Sequence, residues 1–161
     1  MEAMTEKEIR GCFVNGSRGE VTRMSLPDLA SVRWDESDLV GWVDPRSPQQ
    51  AYLVAPDPAR PVGVILRRNH GGAGPARMCS LCCTTHPGTG VSLMVARRAG
   101  RAGRDGNTVG LDICSDLGCS GYARGWLAPP TISVVRETTS SEQRVERLRR
   151  NLATFLGRVR R

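Results

Sequence analysis

Five of the six cysteines in this 161-residue chain fall between positions 79 and 119, and four of them form two short-spaced pairs. Cys79 and Cys82 are separated by two residues and Cys114 and Cys119 by four, with 31 residues between the pairs. A loop of that length can fold back as a hairpin and bring both pairs to one ion. Thiolate pairs at short spacing are what a tetrahedral zinc site requires of a chain that delivers its ligands in two instalments. Aromatic content is only 4% and hydrophobic content 39%, so the core is thin and a structural metal would compensate.

The surrounding sequence bounds the compartment and the partner. No apolar run approaches the roughly 18 residues of a membrane span, and Met1 to Arg10 lacks the form of a signal peptide. The expectation is a cytoplasmic protein without membrane contact, where clustered cysteines bind metal in preference to forming disulfides. The net charge is +7, and every basic residue except Lys7 is arginine. That bias suits phosphate or carboxylate partners, and it is equally what a GC-rich genome produces.

Along the chain, Thr5-Glu6-Lys7-Glu8 has the form of a capping box, with Ile9, Cys12 and Phe13 at helical spacing. Cys12 reads as a small core residue. Asn15 to Gly19 breaks this helix, and Leu26-Pro27-Asp28-Leu29 marks a turn. Three apolar runs, 39–43, 51–54 and 62–66, bounded by proline-containing turns, predict an antiparallel meander with Trp42 and Tyr52 on its packed face or at a binding surface. The glycine-rich stretch 67–75 lacks the lysine and hydroxyl of a phosphate-binding loop, and His70 within it reads as a loop residue.

Val91 to Val95 predicts a strand and Thr108 to Ile113 its return. Arg97, Arg98, Arg101 and Arg104 lie between them, interleaved with glycine and alanine, and suit a mobile finger that orders on an anionic surface. A helix capped by Ser115 should run through Tyr122. Two residues five apart on a regular helix point roughly 140° from one another at about 100° per residue, so Cys114 belongs on the turn before the helix and Cys119 in its first turn. Knuckle, hairpin and helix in this order make a treble-clef finger. From Arg136 to Arg161, eight arginines face three glutamates, while Val145, Leu148, Leu152, Phe155, Leu156 and Val159 share one face of a final helix capped near Thr138 to Glu142. Its arginines form either a solvated outer face or a surface for RNA or an acidic factor.

Met78-Cys79-Ser80-Leu81-Cys82, Thr84-Thr85-His86, and Asp112 to Ser120 with Tyr122-Ala123-Arg124-Gly125 resemble the C-terminal treble-clef zinc finger of the FBP family, the FusB-type elongation factor G-binding proteins. The resemblance covers residues 77–126 and, more loosely, the strands before them. It implies a structural zinc and a protein that docks on elongation factor G and helps it leave a stalled ribosome. It also implies a histidine ligand in some members, which makes His86 the competitor for one position. From the residues themselves, the expected set is Cys79, Cys82, Cys114 and Cys119. Adjacent side chains on an extended chain diverge, which leaves Cys83 beside the ion.

Four thiolates leave no open position for water, so the zinc is expected to be structural. No nucleophile elbow or His-Glu-x-x-His motif is present and the acidic residues are scattered, so an enzyme is not expected and no small-molecule substrate is implied. Three functions compete: docking on elongation factor G, a zinc-stabilised RNA- or ribosome-binding module, and a redox sensor using Cys82 and Cys83. Arg97, Arg98, Arg101, Arg104 and Arg124 are the expected partner-binding residues. The expected class is α+β: an N-terminal region with antiparallel strands at 1–74, the finger at 75–128, and a basic amphipathic helix at 129–161 packed on the rest.

Overall fold

The computed structural model describes residues 1–69, 74–129 and 138–161; the loop residue His70 lies outside them. The three apolar runs form β1 (Val40–Asp44), β2 (Ser47–Ala55) and β3 (Val62–Asn69), paired as an antiparallel meander. β2 starts earlier than the apolar run because Asp44 closes a tight turn, its Oδ1 accepting from the Arg46 amide at 2.9 Å. Pro48 is accommodated where the register shifts between Val43 and Asp44, since a proline there removes no ladder hydrogen bond.

The meander continues into the finger. β3 pairs with β6 (Val91–Arg97), which pairs with β7 (Thr108–Cys114), giving one five-stranded sheet of order β1-β2-β3-β6-β7. Residues 1–74 and 75–128 thus contribute to one sheet and share one core, a point that local sequence pattern left open. On one face, Leu53, Val64, Leu66, Met94, Ala96 and Ile113 pack under α5 (Ser141–Arg160) through Leu148, Leu152, Phe155, Leu156 and Val159. The helix starts where expected because Ser140 and Gln143 form a capping box. In that layer, each buried Leu, Val, Ile, Met or Phe side chain contributes about 1.5–3 kcal/mol.

The opposite face of β1 to β3 presents Val40, Trp42, Tyr52, Val54 and Ile65, covered by the N-terminal segment through Ile9, Cys12 and Met24. Trp42 and Tyr52 are core residues, their rings 5.2 Å apart. α1 (Glu6–Gly11) carries the expected Thr5–Glu8 capping box. Asn15 and Gly16 do break the chain, but Ser17 and Glu20 form a second box that starts α2 (Arg18–Arg23) within the expected break. Asn15 sits where β3 and β6 part. Its amide nitrogen donates to the carbonyls of Ile65 (2.9 Å) and Arg97 (3.0 Å), and its oxygen accepts from Ile65 N–H at 2.8 Å.

The arginine-rich tip corrects the expectation of a mobile finger. It holds a short helix, α3 (Gly100–Arg104), and is pinned to the final helix by the Ala99 amide donating to the Val159 carbonyl at 2.7 Å. Gly103 is essential to that turn, because a Cβ there would lie 1.8 Å from the Arg98 carbonyl oxygen. Among the described residues, no helix is long and apolar enough to cross a membrane.

Candidate metal centre

The first cysteine pair sits in a knuckle closed by the two-residue strands β4 (Arg77–Met78) and β5 (Thr85–His86). The Cys79 amide donates to the Thr84 carbonyl and the Cys83 amide to the Cys79 carbonyl, both at 2.9 Å, while the Leu81 amide points at Cys79 Sγ from 3.4 Å. Closing this turn puts Cys83 in the left-handed region at φ 62°. The knuckle is docked on the outer edge of the sheet by Ser80 N–H donating to the Asp112 carbonyl at 2.8 Å.

The second pair spans the exit from the sheet. Cys114 ends β7 and Cys119 opens α4 (Cys119–Arg124). Between them the chain turns through Leu117, also left-handed at φ 57°, with the Leu117 amide on the Cys114 carbonyl and the Gly118 amide on Asp116 Oδ1, each at 2.9 Å. The four-residue gap is therefore spent on a turn. Gly118, not Ser115, takes the N-cap position; Ser115 instead bonds Ser92 Oγ at 2.7 Å and the Thr89 carbonyl at 2.6 Å.

The four sulfurs of Cys79, Cys82, Cys114 and Cys119 all lie within 4.8 Å of one another and all four residues are buried. Cys79 and Cys119 are 3.7 Å apart and Cys82 and Cys114 are 3.5 Å apart, sulfur to sulfur. A tetrahedral ion with Zn–S bonds of about 2.3 Å sets its ligand sulfurs about 3.8 Å apart, so the cluster fits one zinc. No disulfide joins any of the six cysteines. Without a cation the four cannot ionise together: hydrogen bonds from Cys114 and Cys119 pull the Cys79 thiol far below its usual range. Those from Cys114, Cys79 and Cys82, with burial, push Cys119 far above it. A divalent ion removes that conflict, because all four then bind as thiolates.

Further contacts surround the cysteine cluster. His86 is 3% exposed, with Nε2 3.2 Å from Cys114 Sγ and its ring edge-on to Tyr122 at 4.9 Å. It rests against a ligand sulfur, in the position of a group that donates N–H to a thiolate. Gly90 makes room for it, since a Cβ there would lie 2.5 Å from His86 Cβ. From α5, Asn151 Nδ2 donates to the Leu81 carbonyl at 3.0 Å and Arg147 to the Cys82 carbonyl at 3.2 Å. Asn151 also approaches Cys83 Sγ at 3.9 Å. The final helix is thus the back wall of the knuckle, which no local pattern in its sequence announces.

The expected partner-binding arginines divide. Arg124 turns inward, its Nε and Nη2 donating to the two oxygens of Asp38 at 2.8 and 3.0 Å; Arg149 reaches the same carboxylate at 2.8 Å. Asp38 is 1% exposed at its side chain, and its amide is held by Ser120 Oγ at 3.1 Å. This pair of arginines neutralises a buried charge and ties the start of β1 to α4 and α5. Arg97 pairs with Glu20, and Arg101, 89% exposed, reaches Asp105 at 3.5 Å. On α5, Arg144 donates to the Ala123 carbonyl and Arg160 pairs with Asp57. Arg98 and Arg104 make no ion pair among the described residues.

Against known proteins, the model of the FBP C-terminal treble-clef zinc-finger family matches residues 8–159. No curated protein matches the chain, and no solved structure does. The match reaches well beyond 77–126 in both directions, as the structure requires, because the finger shares its sheet with β1 to β3 and its knuckle with α5. With four buried sulfurs gathered for a structural zinc and the family match spanning sheet, finger and final helix, this chain belongs to the FBP C-terminal treble-clef zinc-finger family.

Proposed function

We propose that the protein is a non-enzymatic accessory of translation in the cytoplasm that docks on elongation factor G at the ribosome. Family membership over nearly the whole chain carries this reading, together with the resemblance of 77–126 to elongation factor G-binding proteins. The zinc serves shape: a four-sulfur set leaves no position for water or substrate. Trp126, 40% exposed just after α4 with the Arg33 guanidinium 5.1 Å from its ring centroid, is the side chain best suited to anchor a protein partner.

Purified elongation factor G should be retained by the wild-type protein in a pull-down. Binding measured by calorimetry should weaken roughly 30-fold in Trp126→Ala, as expected for loss of an aromatic anchor worth about 2 kcal/mol. Absence of any retained factor with the zinc-loaded wild type overturns the proposal.

A further inference from the structure

The N-terminal layer covers only part of its face of the sheet. Past Ile65, the same face continues with Arg67 on β3, cross-strand from Gln50 and Val95, and then Arg97 at the end of β6. Two cavities open over this corner. One of about 440 Å³ is floored by Arg67, Val95 and Thr108; the next, of about 400 Å³, is walled by α2 and the tip and lined by Arg98 and Arg104. Glu20 and Arg97 line both, so the two cavities adjoin at that ion pair as the two halves of a surface groove.

Its charge is one-sided. In these two linings Arg67, Arg97, Arg98 and Arg104 face one carboxylate, Glu20, which Arg97 and the Ser17 amide already engage; the adjoining cavity that shares Glu20, Ser47 and Gln50 adds Arg23 and Arg46 against Asp44. Arg67, Arg98 and Arg104 make no ion pair among the described residues. The remaining polar lining is Asn15, Ser17, Ser47, Gln49, Gln50 and Thr108; all but Asn15, whose amide is engaged by the backbone of Ile65 and Arg97, are groups that bond phosphate and sugar oxygens. Trp126, Met78 and Leu93, the exposed large apolar residues among those described, are absent from the lining. The lining thus offers a protein partner no exposed Trp or Tyr as an anchor, only arginines. Asn15, pinned to Ile65 and Arg97, and the tip helix hold the walls in place without a ligand.

We infer that this groove binds the sugar–phosphate backbone of RNA, without base specificity. Arginine forks match phosphate oxygens in pairs, and the absence of aromatic rings in the lining removes the stacking by which bases are held. The inference does not rest on docking to elongation factor G, for which Trp126, outside this lining, is the proposed anchor and which is measured with another ligand.

The test is fluorescence anisotropy with a labelled mixed-sequence RNA oligonucleotide and the zinc-loaded full chain, titrated between about 50 and 200 mM salt. The wild type is expected to bind with affinity falling steeply as salt rises. The triple variant Arg67→Gln, Arg98→Gln, Arg104→Gln should lose at least about tenfold in affinity at low salt, and its log–log salt slope should shrink by about 2, since each single-strand phosphate contact contributes about 0.7. The matching arginine-to-lysine triple should recover most of the slope. Arg150→Gln with Arg158→Gln, on the helix across the sheet, should leave both quantities close to wild type. Zinc content and circular dichroism verify that each variant is folded. No binding by the wild type at low salt, an unchanged slope in a folded glutamine triple, or equal affinity for poly-glutamate, which would indicate an acidic protein partner, overturns the inference.

Discussion

Cys83 carries a side chain at φ 62°, where a left-handed backbone costs an ordinary residue about 1–2 kcal/mol. Glycine would relieve that cost. Cys83→Gly is therefore expected to keep one zinc per chain and to melt no lower than wild type, whereas Cys119→Ser should lose the ion and the fold of the knuckle, since structural zinc supplies on the order of 10 kcal/mol. Metal content by mass spectrometry and a thermal melt decide it; zinc loss in Cys83→Gly would make Cys83 a ligand. Cys12 contrasts with the cluster, because burial pushes its thiol up to about 11 and keeps it unreactive near neutrality. Asp44 shows the opposite balance. Burial pushes its carboxyl up, but hydrogen bonds from the Arg46 and Ser25 amides and from Tyr52 more than reverse this and hold it below the usual range. A depressed folded pKa stabilises above the unfolded value of about 3.9 and is lost as pH falls through the folded one. In urea titrations, Asp44→Asn should be less stable than wild type at pH 7, and the difference should shrink as the pH drops below about 4.

Among the elements, α5 does two jobs. Its apolar stripe closes the sheet, and Leu152→Ala is expected to cost about 2–5 kcal/mol in denaturant unfolding. Its other flank supports the metal through Asn151 and the Leu81 carbonyl. Groups that orient a metal's ligands typically tune affinity 10–100-fold, and Asn151 holds the turn between Cys79 and Cys82 through Leu81. Asn151→Ala should therefore weaken zinc binding by about that factor in competition with a chelating dye, while changing thermal stability of the zinc-saturated protein far less. Equal zinc affinity in the variant would reduce the contact to packing.

Over the whole molecule, a single sheet runs from β1 to the strand bearing Cys114, and one apolar cluster contains Leu53, Cys79, Phe155 and Cys119. Metal and sheet should therefore unfold together. On titration with a strong chelator, fluorescence of the tryptophans, with Trp42 in the face remote from the metal, and far-ultraviolet circular dichroism should change in one coincident transition. A fluorescence signal that persists after zinc is gone would mean that the meander stands alone. The features that the chain announced in advance are local ones: paired cysteines, the Thr5 box, alternating strands and the stripe from Leu148 to Val159 are patterns within a few positions, and such periodicities are imposed by the helix and strand backbones themselves. α2 was concealed because its Ser17–Glu20 box overlaps residues that also make turns, and the tip helix because its glycines and arginines carry no apolar period. What only the tertiary structure decided are contacts at long separation: Asp38 with Arg124 and Arg149, 86 and 111 positions away; Asn15 with Arg97, 82 away; Asn151 with Leu81, 70 away. The sequence by itself determined the strands, the first and last helices and the clustering of the paired cysteines, because those choices are made by neighbours. Which arginines neutralise a buried carboxylate and which face an open groove was decided by the packing of elements, because a charge has no periodicity and its partner is whichever group the fold brings within reach.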